Sequence, residues 1–129
     1  MAMTAHIVYD AVDPRTVLTL SRKAIRDVIR GEIGFDGLLM TDDLDMKALT
    51  GGLTHKTERA LAAGCDIALH CSGDMKAMEE VAAGAKTLSG KAERRAGIAV
   101  LCASDADSFD RAAAWDEFKA LVPGLDNAA

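Results

Sequence analysis

The run Gly37-Leu38-Leu39-Met40-Thr41, halted by Asp42-Asp43, constrains this chain most. A short apolar run without polar alternation suits a strand covered on both faces, as in a parallel sheet. Similar runs lie on either side, Thr4-Ala5-His6-Ile7-Val8-Tyr9 and Cys65-Asp66-Ile67-Ala68-Leu69-His70-Cys71. Helical patterns fill the gaps. Ser21 is placed to cap a helix with Ile25, Val28 and Ile29 on one face and Gly34 as its C-cap. Thr54 is placed to cap another, which runs through Ala63 and stops at Gly64. This alternation predicts an α/β fold of parallel βα units.

Helices continue past the third strand. Ser72-Gly73-Asp74 offers a loop and an N-cap, and Met78, Val81, Ala82, Ala85 and Leu88 recur at helical spacing. Ser89-Gly90 breaks the chain before a helix over Lys91–Ala103. Ser104–Asp107 is polar. A last amphipathic helix spans Ser108–Leu121, with Phe118 and Leu121 inward, and Pro123-Gly124 ends it.

The 129 residues suit one domain. A closed eight-stranded βα barrel needs about 250, so only part of one fits here. With 15 basic against 20 acidic side chains, the net charge of −5 does not favour phosphate backbones, and no nucleic-acid partner is expected. No apolar run reaches the ~18 residues of a membrane span, and the N-terminal residues lack an export pattern, so the chain reads as cytoplasmic. Cys65, Cys71 and Cys102 fit no zinc or CxxC spacing and are expected to be buried, reduced thiols.

In parallel α/β folds ligands sit beyond the carboxyl ends of the strands. Asp42 closes the second run and is the candidate carboxylate nucleophile. A strand end held by packing aims a carboxylate with little freedom. The competing role is binding backbone amides in the turn, and spacing alone leaves both open. Asp43 is read as orienting the loop through hydrogen bonds. Asp43-x-Asp45 resembles the start of a calcium loop, but Ala48 stands where that loop needs Gly, so no metal is expected. No Gly-rich phosphate loop occurs and no cofactor is expected. His6 and His70 read as hydrogen-bonded packing residues, and His55 as a solvated side chain at a helix start.

Taken together, Met3-Thr4-Ala5-His6-Ile7-Val8-Tyr9, Thr19-Leu20-Ser21, Ile33-Gly34-Phe35-Asp36-Gly37-Leu38-Leu39-Met40-Thr41-Asp42-Asp43-Leu44 and Ala62-Ala63-Gly64-Cys65-Asp66 resemble, in order and spacing, glycoside hydrolase family 3 in its bacterial β-N-acetylglucosaminidase (β-N-acetylhexosaminidase) branch. The resemblance runs from Met1 to about Ala103. It implies that residues 1–103 look like the last three βα units of a (β/α)8 catalytic barrel, with 104–129 an added helix and tail. By the same resemblance Asp42 maps onto the family's nucleophile. The implied reaction is retaining hydrolysis of terminal β-N-acetylglucosamine from anhydromuropeptide-type glycans in cell-wall recycling. The branch's acid/base His lies in a Lys-His-Phe-Pro-Gly-His-Gly type segment that this sequence lacks, and neither His6 nor His70 takes that role. Asp45 stands where the family usually has Ser, and a third carboxylate there would repel the nucleophile's charge. Two other readings stand beside this one. One is a non-catalytic α/β module that self-associates or complements an N-terminal partner chain. The other is a receiver-type signalling domain, which lacks support because the strand ending at His70-Cys71 carries no acceptor Asp.

Overall fold

The computed structural model describes residues 1–102 and 108–122. Three parallel strands form one sheet in the order β1 (Ala2–Met3), β2 (Leu39–Asp43), β3 (Ile67–Leu69). A π-helix, Ala24–Glu32, links β1 to β2, and α1 (Leu53–Ala63) links β2 to β3. Three helices follow: α2 (Met75–Gly84), α3 (Gly90–Leu101) and α4 (Arg111–Leu121). The parallel α/β architecture is the one the alternation predicts.

The strands are shorter than expected at both sheet edges. β1 is not Thr4–Tyr9. After Thr4 donates its N–H to Met40 O at 2.9 Å, the chain bends away, because Thr4, Ala5 and His6 all bond Thr19 instead. β3 covers only the middle of Cys65–Cys71.

Cover is one-sided. Successive strand residues face opposite ways. On the helix side, Leu39 packs with Ile25, Ala63 and Cys65, and the Thr41 hydroxyl accepts the Leu69 N–H at 2.8 Å. A second cluster joins Leu44, Leu49, Leu53 and Ala60. Burying Ile25, Leu39 and Leu44 contributes roughly 2 kcal/mol each. Met3, Met40 and Ile67 share the other face in register, and Met3 is 50% exposed. The expectation of cover on both faces is therefore corrected: Met40 and Asp42 are only half-buried.

Local signals decide the helix ends where the partner is local. Ser21 Oγ accepts the Ala24 N–H, and Asp74 Oδ1 accepts the Ala77 N–H. Gly34 closes the π-helix at φ +70°, where a side chain would be strained. Gly64 does the same for α1 at φ +122°. Thr54 is not a cap. Its hydroxyl donates to Glu80 O on α2 at 2.8 Å, and Gly52 takes the cap position. The two helices pack closely there, and a Cβ on Gly84 would run into Thr54 O and Thr57.

Further expectations are corrected. The stripe ends at Gly84, Ala85 caps α2, and Met78 and Leu88 are exposed, because Ala77 and Val81 carry the contact with the core. Phe118 and Leu121 do not point inward. Phe118 stacks on Trp115 within α4, and Leu121 is 74% exposed. Of the thiols only Cys65 is buried; Cys71 and Cys102 are exposed, at a strand end and a helix end. The polar segment ending at Asp107, Pro123-Gly124 and the tail lie outside the described residues.

Candidate active site at the strand ends

Parallel pairing brings the carboxyl ends of all three strands to one rim, and Asp42 and Asp43 finish the middle strand. Asp42 is half-buried on the face shared with Met40. Its Oδ1 accepts the Asp43 N–H at 2.8 Å, so the turn role weighed in the sequence is present. Only one oxygen is used that way. Among the described residues, Oδ2 has no hydrogen-bond partner.

Asp43 organises the turn. Its Oδ1 accepts the Asp45 N–H at 3.1 Å, and its carbonyl accepts the Met46 N–H at 3.2 Å. The same carbonyl lies 2.9 Å from His6 Nε2. A carbonyl only accepts, so Nε2 carries a proton. His6 Nδ1 meets Thr19 Oγ1 at 2.8 Å. His6 thus ties β1's end to β2's end, a packing role in keeping with its reading, although it sits in the bend after β1 rather than in a strand. Asp45 is exposed.

His70 approaches from β3's end. Its side chain is 4% exposed. Nε2 lies 2.7 Å from Ser72 Oγ, while Nδ1 is 3.5 Å from Asp43 Oδ1 without hydrogen-bonding geometry and has no other partner. The reading of His70 as fully hydrogen-bonded holds at one nitrogen and fails at the other. His55 is exposed, as expected, with only a loose approach to Glu58.

Lys56 went unrecognised in the sequence. It is buried on α1, and its Nζ donates to Leu44 O at 3.0 Å, bracing the turn after Asp43 from below. The signal was there: Lys56 lies three residues after Leu53 and four before Ala60, both core residues on the same helix face.

The charges at the amino ends of the strands do different work. Asp66 accepts hydrogen bonds from Leu39 N, Arg30 Nη2 and Arg95 Nη1 at 2.8–2.9 Å. Arg94 and Arg95 also hold Asp36, whose carboxyl falls to about 2 through those hydrogen bonds. Burial pushes the Cys65 thiol up to about 12, which leaves it no thiolate for chemistry. Among the described residues no three His, Cys, Asp or Glu side chains converge as metal ligands would. A recess of about 650 Å³ beside α4 is lined by Phe109, Arg111 and Trp115 but by no strand-end residue, so size does not mark the site.

Residues 1–99 match the family model of the glycosyl hydrolase family 3 N terminal domain. A beta-hexosaminidase of Chromobacterium violaceum is 37% identical over 124 residues, covering 92% of this chain and 33% of the relative. One of Nitrosomonas eutropha is 43% identical over 72 residues, covering 54% of this chain and 20% of the relative. A crystal structure of beta-N-acetylhexosaminidase from Beutenbergia cavernae superposes with a TM-score of 0.54 at 35% identity, covering 63% of this chain and 25% of that one. The chain thus spans a third or less of these relatives' length. With three quarters of its residues inside the family model, the chain belongs to glycosyl hydrolase family 3.

Proposed function

We propose that this chain carries the nucleophile of a retaining glycosidase acting on terminal β-linked N-acetylglucosamine, with Asp42 as that nucleophile. The supporting observation is the state of the Asp42 carboxylate. It stands at the carboxyl end of the central strand, with Oδ1 fixed by the next amide and Oδ2 unengaged. Fixing one oxygen restricts the rotamer and leaves the other to attack. Oδ2 would bond the anomeric carbon as the glycosidic C–O bond breaks. Water would then displace Asp42 and restore the β configuration. The leaving oxygen needs a proton, and the Lys-His-Phe-Pro-Gly-His-Gly type segment that carries the family's acid/base does not occur in this sequence. Protonation contributes typically 10²–10⁴-fold, so natural glycosides should turn over very slowly on this chain alone. Anhydromuropeptide-type glycans in the cytoplasm are the substrates this reading assigns to the complete enzyme. The beta-hexosaminidase names of the relatives support the sugar specificity.

The test removes the need for an acid. A 2,4-dinitrophenyl β-N-acetylglucosaminide has a leaving group that departs unprotonated. Mass spectrometry of the incubated chain should find one N-acetylhexosaminyl group on the peptide containing Asp42, and none in Asp42→Asn. No adduct in the unaltered chain, or equal labelling of the variant, overturns the proposal.

A second reading, self-association or pairing with a complementing chain, draws on the half-exposed Met3 in the row Met3-Met40-Ile67. Size exclusion with light scattering decides the self-association part: a strict monomer at high concentration removes it.

A further inference from the structure

We propose that His70 is a positioning residue for the nucleophile: its buried Nδ1–H holds the Asp43 carboxylate and, through Asp43, the aim of Asp42. This rests on Asp42 being the nucleophile.

Three observations carry it. The first is the orphan. The His70 side chain is 4% exposed, yet Nδ1 has no hydrogen-bond partner, and a buried polar atom left unpaired is costly. The nearest charged group is Asp43 Oδ1, at 3.5 Å.

The second is the tautomer. Ser72 Oγ accepts the Asp74 N–H at 3.1 Å, which leaves its own proton to donate to His70 Nε2 at 2.7 Å. Nε2 is then the acceptor, and the ring proton sits on Nδ1. The opposite tautomer would turn a lone pair toward a carboxylate. Both arguments favour the proton on the nitrogen that faces Asp43.

The third is the linkage. Asp43 is the residue whose N–H fixes Asp42 Oδ1. Its carbonyl is already held by His6, from the end of β1. Its carboxylate binds the Asp45 amide and faces His70, from the end of β3. Held on both flanks, the Asp43 amide has little freedom, and neither has the carboxylate it binds. Closing the 3.5 Å gap to an ordinary charged hydrogen bond takes a shift of under about 1 Å.

The experiment uses the full chain and two readouts. Two-bond ¹H–¹⁵N spectra should show the His70 proton on Nδ1, with its shift moved by Asp43→Asn. Labelling of Asp42 by the dinitrophenyl donor should slow about tenfold in His70→Leu, at an unchanged half-saturating concentration. His70→Asn, which presents an amide N–H near the Nδ1 position, should recover most of the rate. Adding Asp43→Asn to His70→Leu should cost little more. A folded His70→Leu that labels at the original rate overturns the inference, as does a proton on Nε2. Failure of the unaltered chain to label overturns the nucleophile reading instead. The NMR arm then still decides whether His70 holds Asp43.

Discussion

Replacing Asp66 by Ala tests whether the amino-end ion network holds the fold together. The Asp66 carboxylate is 5% exposed, and Arg30 and Arg95 are only 16% and 10% exposed, so water cannot substitute for it. The variant strands one buried amide, Leu39 N–H, and removes one charged bond from each guanidinium. The stranded amide costs about 1–2 kcal/mol. The guanidiniums lose less than a fully orphaned charge would. Arg30 keeps the Phe35 and Gly37 carbonyls, and Arg95 keeps Asp36. Allowing about 1 kcal/mol for each brings the total to about 3–4 kcal/mol, within the range for breaking a buried pair. For a chain this small, with a urea slope of about 1–1.5 kcal/mol/M, the unfolding midpoint followed by circular dichroism should fall by about 2–4 M. Asp66→Asn keeps the size and one acceptor and should lose about half as much. A midpoint shift below about 0.5 M for Asp66→Ala would refute the reasoning and class the network with weak surface pairs.

Other outcomes follow from the same physics. With a thiol reagent at pH 8, Cys71 and Cys102 should react promptly, while Cys65, pushed to about 12 by burial, should wait for unfolding; three equally fast thiols would contradict the packing of Cys65. Asp36 has a folded pKa of about 2, below its ordinary 3.8, so its contribution is complete above the higher value and disappears as pH falls through the lower. Acid titration of stability should therefore show a decline between those values that is shallower in Asp36→Asn. An unchanged acid limb would remove the Arg94–Asp36–Arg95 cluster from the explanation.

What was legible in the sequence was what neighbours in sequence decide. The Ser21 and Asp74 caps and the Gly64 stop involve partners within four residues, so residue type and spacing were enough. The end of β2 at Asp42-Asp43 was legible for a related reason, since an abrupt change from apolar to acidic marks a strand end. The Thr54 hydroxyl had two possible acceptors in kind, and a helix 26 residues away supplied the one it uses. The approach of His70 to Asp43 spans 27 residues and depends on a ladder irregularity between Met40 and Asp43 that no local pattern encodes. Phe118 has amphipathic spacing, but its ring is satisfied by Trp115 one turn away, and periodicity does not distinguish that from a core.

The His6 bond to the Asp43 carbonyl, and the hold proposed for His70 on its carboxylate, have a consequence for protein engineering. Transplanting the segment from Asp42 to Asp45 into another scaffold moves the carboxylates but leaves their guy-ropes behind. The smallest portable unit is the tips of three strands, with the imidazoles that moor them. Chimeras cut between Asp43 and His70 should exchange that mooring as a matched pair, and libraries that randomise one tip alone sample a geometry the donor protein never holds.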